Sequence, residues 1–227
     1  MKPYPVMLRI SGKRVIVIGG GRVALRKIRD LMECGALVRV IAPQVHESVH
    51  ELAARYPDKI EIVNRAYERG DCEGAFLVFS ATGDERVSRE VFQEAEARNI
   101  FINAVDDPRH CTFFVPSWSD TKGIIVAVST SGVSPALAAR IRRDVERALP
   151  DSMGEALVAL EKTRNLLKSD PDFKTLNAGQ RGRVLTRIVG DDDLLAELVK
   201  CYVNDSLKCF IKELLSDDPP SATGLAT

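Results

Sequence analysis

The sequence predicts an α/β fold: a Rossmann-like, doubly wound parallel sheet, then a small α+β segment and a C-terminal helical region. Three observations carry that prediction. Apolar runs alternate with amphipathic stretches over the first hundred residues. A run of glycines stands directly between the first apolar run and the helical stretch that follows it. After Asn103 the alternation stops and the character of the chain changes.

Residues 14–18 (Arg-Val-Ile-Val-Ile) are β-branched and almost uninterrupted, as expected of a parallel strand covered on both faces. A helix is predicted from Arg22 to about Cys34, stopped by Gly35. Next come a strand over 37–41, a helix over 44–56 ended by Pro57, and a short strand over 60–63. A buried strand over 76–80, a helix over 84–98 and a strand over 100–103 close the series. Strict alternation of strand and helix implies a parallel sheet with right-handed crossovers. Beyond the loop 104–109, residues 112–115 and 124–129 read as strands without a helix between them. A helix over 134–149 has Pro135 in its first turn and Pro150 just past its end. Further helices are predicted over about 152–168, 178–189, 191–202 and 205–215. The expected division is a nucleotide-binding domain over 1–112, a small segment over 113–150, a helical domain over 151–218 and a frayed tail over 219–227.

Composition narrows the classes of function. Among 227 residues, Lys plus Arg and Asp plus Glu each total 32, and this neutral sum argues against a general nucleic-acid binder. No apolar run approaches the roughly 18 residues of a membrane span, and Met1–Pro5 lacks the apolar stretch of a secretory signal. The five cysteines are scattered and never form CxxC, which argues against a disulfide framework or zinc ribbon and fits a reducing cytoplasm.

Gly19-Gly20-Gly21-Arg22-Val23-Ala24 fits G-x-G-x-x-A directly after a strand and opening a helix. Gly19 would allow the tight turn, Gly21 would let the backbone approach a pyrophosphate, and Ala24 would let the helix pack close to the sheet. The competing reading is a tight glycine turn without a ligand. The carboxylate that normally ends the second strand is missing, because that position reads Ile41-Ala42-Pro43-Gln44. Arg39 lies within the strand and is a poor clamp for a 2′-phosphate, so the fingerprint does not choose between NAD and NADP. No G-x-x-x-x-G-K-[ST] loop is present.

His46-Glu47-Ser48-Val49-His50 matches H-E-x-x-H, the zinc-protease helix. The only other histidine is His110, and the segment falls on a short crossover helix, so an exposed polar face is preferred and no metal site is expected. Ligands of open α/β sheets bind outside the carboxyl ends of the strands. Three loops reach that edge: Gly19–Val23, Ala81–Asp84 with Thr82, and Asn103–Arg109 with Asp106 and Asp107. A carboxylate in the third could act as a general base beside a nicotinamide, or Asp107-Pro108 could simply be a turn. Arg140, Arg142, Arg143 and Arg147 would suit a substrate with several carboxylates, or form a solvated helix face.

With these residues assembled, the chain resembles the siroheme-synthase N-terminal family of precorrin-2 dehydrogenases. The matching stretches are Val17–Lys27, Ala81–Asp84, Asn103–Pro108, Phe113–Ser117 and Val128–Ala138, in order and spacing over about residues 4–150. The resemblance implies NAD-dependent oxidation of precorrin-2 to sirohydrochlorin. It also implies a homodimer built through the segment after Val115, with substrate between the dinucleotide domain and the helical parts. Arg22, Val23, Pro43 and Gln44 align with NAD contacts, joining Gly19, Gly20, Gly21 and Thr82 as cofactor candidates. Asp106 aligns with the catalytic carboxylate, and Asn103, Thr130, Ser134 and Arg140 are the substrate-binding candidates. Thr130 stands where fused bacterial members carry a regulatory phosphoserine. The methyltransferase half of those fused enzymes is expected to be absent, with precorrin-2 supplied by another protein. For some members the resemblance also implies insertion of Fe²⁺ as a second substrate. The alternatives are a dinucleotide-sensing module and a non-catalytic tetrapyrrole carrier.

Overall fold

The structure is a computed structural model and describes residues 3–217. The tail expected over 219–227 lies outside the described residues. Contacts divide the chain into two compact units: one runs to Pro116 and includes Thr130–Ser134, and the other comprises Ser117–Ser129 and the chain from Pro135 onward.

The first unit is built on β1 (Arg14–Ile18), β2 (Leu37–Ile41), β3 (Ile60–Val63), β4 (Leu77–Ser80) and β5 (Phe101–Ala104). All pair in parallel in the order β3-β2-β1-β4-β5, so the chain winds outward from β1 and then crosses to β4. Val15 and Val17 face one side with Val38, Val40, Leu77 and Phe79, packed against Ala24, Leu25, Ile28 and Leu31 of α1 (Arg22–Glu33). Val49 of α2 (Glu47–Arg55) joins the same core. Ile16, Ile18, Val78 and Ile102 face the other side, against Val91 and Ala95 of α3 (Glu85–Ala97). Burial on both faces explains why β1 and β4 read as nearly continuous apolar runs.

Two expectations are corrected here. The alternation is not strict, because the β3–β4 crossover over residues 64–76 contains no helix. Gly70 and Gly74 adopt positive φ (113° and 71°), and the segment is closed instead by a carboxylate from α3. Glu94, 3 % exposed, accepts from Tyr67 Oη (2.5 Å), the Gly70 N–H (2.9 Å), the Cys72 N–H (3.3 Å) and Arg98 Nε (3.0 Å). Arg65 adds a bidentate pair to Asp71 at 2.7 and 2.6 Å. Second, residues 112–115 are not a strand. The Ile102 N–H donates to Thr112 Oγ1 at 2.8 Å, so a side chain occupies part of the place of a ladder bond. Phe113 and Val115 are apolar because they pack on the core, Phe113 edge-on to Phe79 at 5.4 Å.

The second unit begins with a hairpin of β6 (Ser117–Thr121) and β7 (Ile124–Val128). Its loop is Lys122-Gly123, both at positive φ (56° and 81°), the left-handed pair that two-residue hairpin turns favour. Lys122 Nζ reaches the Pro150 carbonyl (3.0 Å) and Asp151 (2.7 Å), tying the hairpin tip to the end of α4 (Pro135–Ala148). Arg142 and Ser119 both bond Glu146, fixing α4 on the hairpin. Four more helices follow: α5 (Met153–Ser169), α6 (Ala178–Val189), α7 (Asp192–Val203) and α8 (Leu207–Asp217). They share a core of Leu167, Phe173, Ile188, Leu198 and Ile211.

Candidate active site

The loops after β1, β2, β4 and β5 leave the same carboxyl edge of the parallel sheet. Backbone bonds lock them to one another. The Gly19 N–H donates to the Ile41 carbonyl at 2.9 Å, the Ala81 N–H to Ile18 at 2.7 Å and the Val105 N–H to Ser80 at 2.8 Å.

The three glycines have different tasks. Gly19 has φ 115°, and a Cβ there would lie 2.4 Å from the Ala81 carbonyl oxygen, so the fold itself demands glycine. At Gly20 a Cβ would meet the Gln44 carbonyl oxygen at 2.6 Å, and the His46 N–H donates to the Gly20 carbonyl at 2.8 Å. This close approach brings Pro43 and Gln44, both exposed, beside the glycine loop. Gly21 differs: its backbone is extended, and a Cβ would meet nothing within 4 Å. The open cradle lies at the N-terminus of α1, which has no side-chain cap and no acidic residue in its first turn. Such a helix end leaves its first N–H groups for an anion. Arg22 and Val23, both exposed, flank it. Thr82 stands on the β4 loop, its Oγ1 accepting from the Asp84 N–H at 3.2 Å. These residues fit a dinucleotide cofactor.

Arg39 is committed elsewhere. It pairs bidentately with its cross-strand neighbour Glu61 at 2.8 and 2.9 Å, so it cannot clamp a 2′-phosphate without giving that pair up. His46 lies outside the helix it precedes: it caps α2, its Nδ1 accepting from the Ser48 N–H at 3.2 Å. Among the described residues, no group of three or more His, Cys, Asp or Glu side chains could hold a metal ion.

Asp106 is exposed and adopts φ 63°, an unusual conformation for a residue other than glycine, Asn or Asp. Its neighbour Asp107 is turned to structural work. It caps the 3₁₀ turn Pro108–His110, accepts from the Arg109 N–H (3.2 Å) and meets His110 Nδ1 at 2.5 Å. The hydrogen bond to His110 holds the Asp107 carboxyl below the usual carboxylate range.

The substrate candidates do not share one environment. Asn103 is buried, and its amide donates to the Phe113 carbonyl at 3.0 Å. Thr130 Oγ1 accepts from the Ser134 N–H and reaches the Ser134 carbonyl, both at 3.0 Å, so these two close a loop ahead of α4. Arg140, on α4 in the other unit, is exposed with Asp144 3.8 Å away. Sequence reasoning gave no role to Cys111, whose sulfur bonds the backbone on both sides of Asp106. A thiol's bonding to the backbone has no sequence signature.

Comparison with known proteins places this geometry. Residues 6–117 match a family model described as "Putative NAD(P)-binding", and residues 126–148 match the sirohaem biosynthesis protein central model. The chain is 34 % identical over 184 residues to the siroheme synthase of Methylobacillus flagellatus, covering 81 % of this chain and 38 % of that protein. It is 38 % identical over 169 residues to the siroheme synthase of Photorhabdus laumondii, covering 74 % and 35 %. Over both stretches, the chain is therefore similar to the siroheme synthases. It spans about a third of the length of the curated relatives it matches. Among solved structures, SirC, a precorrin-2 dehydrogenase, superposes with a TM-score of 0.71 at 25 % identity, covering 94 % of this chain and all of that one.

Proposed function

We propose that this chain oxidises precorrin-2 to sirohydrochlorin with NAD. The observation that carries the reading is Asp106: an exposed carboxylate at the end of β5, on the sheet edge that also bears the open glycine cradle. Names support it too, since the relatives are siroheme synthases and the structural match is a precorrin-2 dehydrogenase.

The oxidation removes a hydride and a proton from the substrate. NAD, when bound, supplies the hydride acceptor. Every other task falls to the chain. Gly21 leaves room for the pyrophosphate, and the free N–H groups of α1 take its charge. Pro43, Gln44 and Thr82 lie on the adjoining loops and would border the nucleotide. The engagement of Arg39 with Glu61 favours NAD over NADP. Asp106 receives the departing proton at its carboxylate.

Some family members also insert Fe²⁺, releasing two pyrrole protons, and Asp106 is the group to receive them if this chain does so. A homodimer is the expected assembly, supported by exposed apolar side chains on the hairpin and α4: Ile125 (52 %), Ile141 (39 %) and Val145 (40 %). A cytoplasmic location is in keeping with five unpaired cysteines.

The deciding experiment is anaerobic incubation with precorrin-2 and NAD⁺, following NADH and the sirohydrochlorin spectrum. NADH should form in step with sirohydrochlorin, and Asp106→Asn should lower kcat by about 10²–10⁴-fold, the usual range for a lost general base. Dinucleotide binding without NADH would overturn the enzyme and promote the sensor or carrier. Adding Fe²⁺ or Co²⁺ afterwards tests insertion against the spontaneous rate.

A further inference from the structure

Asp106 sits in a turn whose two ends are held by one sulfur. The Ala104 N–H donates to Cys111 Sγ at 3.2 Å, and the thiol in turn reaches the carbonyl oxygens of Ala104 (3.2 Å) and Asp107 (3.3 Å). Ala104 and Asp107 bracket Val105 and Asp106. Across that turn the backbone itself contributes a long bond, the Asp107 N–H to the Ala104 carbonyl at 3.3 Å. Asp106 takes φ 63° within this turn, a left-handed conformation that Asp tolerates.

The sulfur is itself fixed. Its neighbour Thr112 is bonded to β5 twice: the Ile102 N–H donates to Oγ1 at 2.8 Å, and the Thr112 N–H donates to the Ile102 carbonyl at 2.8 Å. Burial pushes the Cys111 thiol up, so it remains S–H and keeps a donor for the two carbonyls. On the far side, the Asp107–His110 pair closes the 3₁₀ turn, and the His110 ring lies against Phe92 at 4.8 Å. The turn is therefore gripped at both ends while the Asp106 side chain stands exposed between them.

We propose that Cys111 is a positioning residue for Asp106: its thiol clamps the two ends of the turn and keeps the carboxylate at the sheet edge. This rests on the reading of Asp106 as proton acceptor. Proton transfer needs a distance held to a fraction of an ångström, and a displacement of about 1 Å can cost about 10²-fold in rate.

The test is a double-mutant cycle in the full chain, measuring kcat and KM with precorrin-2 alongside the NAD⁺ dissociation constant. Cys111→Val, which fills the space without hydrogen bonds, should lower kcat about 10–100-fold and leave NAD⁺ affinity within about twofold. Cys111→Ser, which can still donate and accept, should recover most of that loss. In an Asp106→Asn background, Cys111→Val should change kcat little, because the group it positions is already gone. Undiminished kcat in Cys111→Val, an equal further loss in the Asp106→Asn background, or a serine variant no better than valine would each overturn the proposal. If Asp106→Asn alone keeps full turnover, the catalytic reading fails and the positioning role fails with it. If Asp106→Asn is inactive and Cys111→Val is not, the positioning role alone fails. Should the valine variant not fold, Cys111→Ala against Cys111→Ser makes the same comparison.

Discussion

At the residue scale, the glycine loop separates two requirements that a fingerprint merges. Gly19 answers to the fold, with a positive φ and the Ala81 carbonyl 2.4 Å from any Cβ, whereas Gly21 has an ordinary backbone and open space. Gly19→Ala should therefore cost about 2 kcal/mol or more in stability. Gly21→Val should change stability by less than about 1 kcal/mol yet weaken NAD⁺ binding tenfold or more, about 1.4 kcal/mol. Denaturant titration and calorimetry on the two variants check both statements, and matched effects on stability would refute the division of labour. The open space at Gly21 was legible in the sequence, because the pattern asks for a small residue there. The closeness of Gly20 to Gln44 was not, since it depends on how the β2–α2 loop folds back.

Among elements, the β3–β4 crossover shows a carboxylate replacing a helix. Burial alone would raise the pKa of Glu94, but the bonds from Tyr67, Gly70 and Cys72 and the charge of Arg98 outweigh it and hold the carboxyl below its ordinary range. The same environment pushes the Cys72 thiol up to about 12, burial being the main cause. Because the folded pKa of Glu94 lies below the unfolded value of about 4.3, the unfolded chain takes up the proton first as pH falls. The stabilisation is complete above the unfolded value and is lost as pH falls through the folded one. Glu94→Gln should therefore flatten the fall in stability as pH drops below about 5, while Glu94→Ala should cost about 3 kcal/mol at neutral pH by leaving Tyr67 and the Gly70 and Cys72 N–H groups without their acceptor. Denaturation midpoints across that range, wild type against both variants, provide the measurement; parallel acid limbs would contradict the account. Strands β1, β2 and β3 were legible to the residue, β1 because two-sided burial demands an unbroken apolar run and β2 and β3 because their β-branched residues recur around a single charge, Arg39 and Glu61. The crossover was not legible, because four donors from scattered positions converge on Glu94 only in three dimensions. Residues 112–115 misled for a related reason: Phe113 and Val115 are apolar because they pack on the core, and burial does not require a ladder. The Lys122-Gly123 turn was available as a hairpin signal, and it places β6 immediately after Pro116.

At the scale of the whole molecule, the exposed apolar side chains of β7 and α4 predict association. Ile141 and Val145 are four residues apart on α4 and so share one helix face. Ile141→Glu combined with Val145→Glu should shift the chain from dimer to monomer in light scattering while leaving the helical circular dichroism unchanged; an unaltered mass would remove this face from the interface. Copies must meet only where they should, and the parallel sheet ends on one side at β5, whose outward backbone groups at Ile102 are occupied by Thr112. A sheet margin with free N–H and C=O groups is a template for further strands, including those of another molecule. The threonine hydroxyl thus works as a stopper as well as a brace. Thr112→Val leaves the Ile102 N–H seeking an acceptor, and the visible consequence should be turbidity on heating that grows with protein concentration.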